Sequence, residues 1–116
     1  MANTFKVKTN AAMPASAGTA DTVYTVPSST TTVVIGLTLC NVHTSAVTAS
    51  VKIESDTSDT ETNENVTVVK DASIPAGSSL ELLSGGKYVL QTTDVVKIDC
   101  SDSAKIDATL SIMEIT

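Results

Sequence analysis

Aromatic side chains are nearly missing from this 116-residue chain, which has no Trp, two Tyr and a single Phe. That scarcity excludes a core built on large ring anchors and leaves Val, Ile, Leu and Ala to fill it, residues that pack well between sheets. It also weakens any sugar-binding reading, because such sites lean on exposed aromatic platforms. No apolar run approaches the ~20 residues that cross a bilayer as a helix. The opening stretch from Met1 to Ala20 lacks the apolar segment of a secretory leader, so synthesis in the cytoplasm is expected. Basic charge is scarce too: seven dispersed Lys/Arg face thirteen Asp/Glu, for a net charge of -6 and a pI near 4.4. Such a field repels phosphate backbones and anionic lipid surfaces, which argues against nucleic acid and membrane partners.

Reactive groups are equally sparse. Cys40 and Cys100 lie far apart, without the short spacings of zinc or redox motifs. They read as reduced, buried thiols, with a long-range disulfide as the alternative. His43 is the only histidine and reads as a loop residue, since no second ligand sits at a metal spacing. Ser and Asp are plentiful, yet no G-x-S-x-G elbow frames a nucleophile. Ser84-Gly85-Gly86-Lys87 precedes a strand-like segment, so it is no phosphate loop. Asn65-Val66-Thr67 matches a glycosylation sequon only formally. The acidic loop with Glu54, Asp56, Asp59, Glu61 and Glu64 lacks the calcium-loop pattern and reads as solvated. The expectation is no catalytic residue, no metal and no cofactor.

What the chain does have is Thr, Ser, Val and Ile in period-two patterns. Val47 to Glu54 alternates cleanly, with Val47, Ala49, Val51 and Ile53 inward. Thr31 to Val42 is apolar or small on both faces, with Val33, Ile35, Leu37 and Leu39 on one and Val34, Gly36, Thr38 and Cys40 on the other. Further strands are expected at Thr22 to Val26, Val66 to Lys70, Leu80 to Leu83, Lys87 to Gln91 and Val95 to Cys100. The last runs from Lys105 to Ile115, where Met113 and Ile115 break the parity of Ile106, Ala108, Leu110 and Ile112; a bulge or a contact with a second surface would explain the break. Turns are expected at Ile74-Pro75-Ala76-Gly77 and Thr92-Thr93-Asp94, and a hairpin at Ser84-Gly85-Gly86. The fold class is therefore all-β: an antiparallel sandwich of about eight short strands, of which the jelly roll is one form and a barrel the alternative.

Residues 1–21 contain a short strand at Phe5 to Lys8 and then a stretch without periodicity around Pro14, so they read as an extended N-terminal arm ahead of a single domain, 22–116. An arm with no core of its own, a two-faced strand and a parity break point to surfaces that seek neighbours. The expected interface residues are Phe5, Val7, Met13, Pro14, Val34, Met113 and Ile115.

One likeness is specific. Tyr24-Thr25-Val26-Pro27, Val33 through Asn41, Ile74 through Leu83, Gly86 through Leu90, Asp94 through Ile98 and Leu110 through Thr116 resemble a group of small virion structural proteins of tailed bacteriophages, including phages of cyanobacteria. The resemblance covers most of Thr22 to Thr116 and leaves the arm unexplained. It implies a β-sandwich used in many copies in the virion, first of all as a capsid decoration (cement) protein. A neck, tail or baseplate component is the next reading, and a carbohydrate- or receptor-binding module the one after. It further implies the major capsid protein or other virion proteins as partners and a homo-oligomer, with a trimer as the first expectation. It carries over no catalytic residue.

Overall fold

The alternation at Val47 to Glu54 is realised residue for residue in a computed structural model, which describes residues 2–55, 62–83 and 86–116. Val47, Ala49, Val51 and Ile53 are buried there, and the residues between them face outward. Among the described residues nine strands follow in order: β1 (Asn3–Met13), β2 (Asp21–Thr25), β3 (Thr31–Asn41), β4 (Val47–Glu54), β5 (Val66–Ile74), β6 (Ser79–Leu82), β7 (Tyr88–Leu90), β8 (Val95–Cys100) and β9 (Ile106–Ile115). The first sheet runs β1-β9-β3, with β6 and β7 both on the far side of β3; the second runs β2-β8-β4-β5. Every pairing is antiparallel.

β6 lies against Leu37 to Cys40 and β7 against Thr32 to Val34, so the two are successive pieces of one edge strand. This corrects the hairpin expected at Ser84-Gly85-Gly86, of which Ser84 and Gly85 lie outside the described residues: the chain leaves β3 and returns to it without reversing. With β6 and β7 taken as one, the chain visits the sheets in the order first, second, first, second, second, first, second, first. That is the winding of a jelly roll, two four-stranded sheets packed face to face.

The expected arm is largely a strand. β1 pairs with β9 from Asn3↔Ile115 to Met13↔Ile106, and so forms one edge of the first sheet. The sequence hid this because an edge strand flanked by solvent carries no burial pattern; β1 is exposed along nearly its whole length. Main-chain bonding holds it, and Asn10 Nδ2 adds a bond to Val23 O at 3.0 Å. At its end Met13 and Pro14 plug the core.

Parity in β3 changes where the sequence shows no punctuation. Register slips between Val34 and Gly36, leaving Ile35 as the extra residue of a bulge. Thr32, Val34, Leu37, Leu39 and Asn41 therefore face the core, while Val33, Thr38 and Cys40 face outward. β9 shows no slip against β1 over Ala108 to Ile115; Met113 and Ile115 simply belong to its outer face. The core between the sheets is aliphatic, centred on Leu39, Leu110, Ile98, Ile106 and Ile112, and burying each such side chain stabilises by about 2 kcal/mol.

At one end of the sandwich, loops 14–20, 42–46, 75–78 and 101–105 are welded by main-chain bonds such as Ala104 N to Pro14 O (2.7 Å), Val42 N to Lys105 O (2.9 Å) and Gly77 N to Asn41 O (3.1 Å). The turn at Pro75 closes from Ser78 N to Pro75 O, one residue later than expected, with Gly77 at φ +70° in the position that needs it. The turn at Thr92 to Asp94 forms as expected, closed by Asp94 N to Gln91 O and by Asp94 Oδ2 accepting from Gln91 N.

Candidate functional site

Register places four apolar side chains in one row across the outer face of the first sheet. Phe5 on β1 is opposite Met113 on β9, Met113 is opposite Val33 on β3, and Val33 is opposite Val89 on β7. The ends of the row are the most open: Phe5 is 73% and Val89 61% exposed. Val7, Ile115 and Ile35 flank it on the same face. A chain with one phenylalanine and two tyrosines has thus spent its phenylalanine on the outside, where burial within the subunit contributes little.

The uncharged remainder of this face is Thr, Ser, Gly, Asn and Cys40. The face's only charged strand residues are Glu81 and Asp107, both toward the end away from the row, and Asp107 is occupied in accepting from Ala12 N at 2.9 Å. The outer face of the second sheet is different in kind. There Lys52, Glu54, Lys97 and Asp99 point outward, and Lys97 Nζ lies 3.1 Å from Glu54 Oε1. One face is thus solvated like an ordinary surface, and the other carries a contiguous apolar band of the kind that marks interaction sites.

Of the seven residues expected at an interface, the fold gathers Phe5, Val7, Met113 and Ile115 on this face. Met13, Pro14 and Val34 lie in the core instead. Met13 and Pro14 are drawn in where register slips between Asn10 and Met13, which sets Met13 opposite inward-facing Ile106, and Val34 because the bulge at Ile35 reverses the side read from simple alternation. Sequence reasoning missed Val33 and Val89. The two-faced character of Thr31 to Val42 was the available signal for Val33, but its partner strand was not readable.

Behind β1 lies a buried polar network. Tyr24 Oη donates to Glu114 Oε2 and lies 2.9 Å from Thr32 Oγ1, while Lys6 Nζ donates to Glu114 Oε1 at 2.7 Å. The Lys6 hydrogen bond, then that of Tyr24, holds the Glu114 carboxyl below its ordinary 4.5. Burial first, and the Glu114 acceptor second, push the Tyr24 hydroxyl up to about 12. The pair is therefore a carboxylate and a neutral phenol at all moderate pH, and it pins the edge strand to the second sheet. Because the folded pKa of Glu114 is depressed, its contribution is present above 4.5 and is lost as pH falls through the folded value. Melting temperature is accordingly expected to fall between pH 5 and pH 3 more steeply in the natural chain than in Glu114→Gln, a comparison made by circular dichroism at matched ionic strength. Equal slopes would show that Lys6 and Tyr24 do not stabilise the carboxylate.

Among the described residues the remaining candidates are His43, the two cysteines and the acidic side chains. His43 Nε2 is 3.2 Å from Asp102 Oδ2, but the neighbouring serine, Ser101, donates to that aspartate rather than to the histidine. Cys40 and Cys100 are free thiols. Among the described residues no group of three or more His, Cys, Asp or Glu is placed to hold a metal ion; Asp56, Asp59 and Glu61 of the acidic loop lie outside them. The apolar gap between the sheets beside Val34, Leu37 and Leu110 measures about 10 Å³, no more than a single water needs.

No family model, curated protein or solved structure matches the chain. The geometry itself therefore has to carry the functional reading, and its most distinctive element is the apolar outer face.

Proposed function

We propose that the chain is a virion structural subunit of a tailed bacteriophage, in the first place a capsid decoration protein that strengthens the head through contacts with the major capsid protein and with sister subunits. The observation that carries this reading is the row Phe5, Met113, Val33 and Val89, set on a sheet face whose described strand residues include no lysine. A surface of that kind binds protein, and repetition around symmetry axes multiplies modest contacts into strong attachment. The segments that resemble small virion proteins fall on β2, β3, β6 to β9 and the turn after β5, so they follow the sandwich rather than its loops alone. A fold by itself does not name a function, and the jelly roll serves many; the reading rests on the face and on the resemblance together.

The test is reconstitution on phage heads stripped of the subunit. An aspartate at Val89 or Phe5 would sit uncompensated in an apolar contact, at a cost of about 2–5 kcal/mol, so at least about thirtyfold weaker binding is expected. Lys52→Ala, on the opposite face, should leave it unchanged. Undiminished binding by both aspartate variants would overturn the role of the face. Copy number in purified virions separates a decoration protein, present in hundreds, from a neck, tail or baseplate component, present in few. The carbohydrate-binding alternative is left with Phe5 as its one fully exposed aromatic, since Tyr24 is buried and Tyr88 is turned inward beside Val34.

A further inference from the structure

We propose that the partner seated on the outer face of the first sheet is a second copy of this chain, related by a two-fold axis lying in that face; this rests on the reading of the face as adhesive and names what it adheres to. Charge is the first argument. Two copies each carrying -6 repel one another, so they associate through the part of the surface that contributes least to the repulsion. The outer face of the first sheet is that part: its two carboxylates, Glu81 and Asp107, stand away from the apolar row, and none of its described strand residues is a lysine, the exposed Lys87 lying just ahead of β7. A partner of either sign would find no complement there. A second copy of the apolar row, which itself carries no charge, would.

Area is the second argument. Four strands spaced about 4.8 Å apart and about ten residues long at about 3.4 Å each present roughly 650 Å². Complete face-to-face overlap sets an upper bound of roughly 1,300 Å² in total, inside the range of stable interfaces. An in-plane two-fold lays the row from Phe5 to Val89 across its own copy, the self-complementary arrangement of an isologous contact.

The other route to a dimer, edge-to-edge pairing of β1 into a continuous sheet, is disfavoured by Lys6 and Lys8. Both belong to the inward side of that edge, opposite Ile112 and Leu110, and would meet the same lysines of the copy. Lysines so placed guard this edge against pairing.

Sedimentation equilibrium of the full chain between about 1 and about 100 µM decides the matter, a span that covers dissociation constants typical of an interface this small. A dimer is expected, and Val89→Asp and Phe5→Asp should each weaken it at least about thirtyfold, with circular dichroism unchanged. Should either aspartate variant unfold, Val89→Thr and Phe5→Thr, which keep strand-forming side chains, are expected to weaken the dimer by about tenfold. A monomer throughout the range, a trimer, or a dimer indifferent to all four substitutions overturns the proposal. A monomer that still coats stripped heads would overturn the self-association alone, and a chain that neither dimerises nor coats heads would overturn the adhesive face as well.

Discussion

Replacing Leu110 by alanine should lower stability by about 3–4 kcal/mol, the largest effect expected from any single truncation in the core. Leu110 is fully buried near the middle of β9, in register with Leu37 on β3 and with Lys8 on β1, and it borders the gap next to Val51 and Val96 of the other sheet. Strands on both sides fix its backbone, so the sandwich has little freedom to collapse into the space vacated. Truncations of this kind cost 2–5 kcal/mol, with the upper part of the range reached where the site cannot relax. For a domain of this size the melting temperature should drop by roughly 10–20 °C. Met113→Ala, three residues on but directed outward, is expected to change stability of the isolated subunit by about 0.5 kcal/mol or less, as surface substitutions do. Thermal denaturation of the two variants under dilute conditions separates the faces of β9; similar losses would mean that the outer face is not free surface.

The contrast between Leu110 and Met113 also shows what the sequence discloses and what it withholds. β4 was legible outright, because a strand with one wet and one dry face writes its alternation directly into the residues. β9 was legible up to Ile112. Beyond it the apolar residues on the outer face read as a disturbance, when they were the signature of a second surface. β3 misled at one position: a single inserted residue at Ile35 exchanges the two faces, and both of them are apolar or small, so nothing in the composition marks the exchange. That exchange is why Val34 was expected outside and Val33 was overlooked. β1 was legible only at Phe5 to Lys8, where a short strand was expected; its extension to Met13 and its place at the sheet edge were the largest miss. Its pairing is main-chain bonding along an edge, and its inward residues, Lys6 and Lys8, are the opposite of what a burial pattern looks for. The split of one edge strand into β6 and β7 was unreadable for a related reason, since paired glycines signal a reversal of the chain locally and only the shared partner β3 shows that none takes place.

Asn41 was quoted only as part of a strand motif, yet its replacement should rival that of Leu110. It ends β3 on the core side, is completely buried, and its side-chain amide donates to the carbonyl oxygens of Ser45 (3.0 Å), Ile74 (2.9 Å) and Pro75 (3.2 Å). Its carbonyl oxygen Oδ1 accepts from His43 N at 2.8 Å. One side chain thus ties loop 42–46 to loop 75–78, two connections that leave different sheets. Asn41→Leu keeps the volume but strands those backbone groups, and each buried group left unpaired costs about 1–3 kcal/mol; with part of the cluster reachable by water, a loss of about 3 kcal/mol is expected. Asn41→Asp divides the effect. It keeps the acceptor for His43 N, removes both amide donors, and sets a carboxylate against three carbonyl oxygens, so it should be at least as destabilising as the leucine. Amide exchange gives the decisive readout: protection at Gly77 and Ser78 should collapse in both variants and that of His43 in the leucine variant, while that of Ile53 and Val96 follows global stability alone. Retained protection at Gly77 would mean that the main-chain bonds of this end hold it without the asparagine, and that its burial has some other cause.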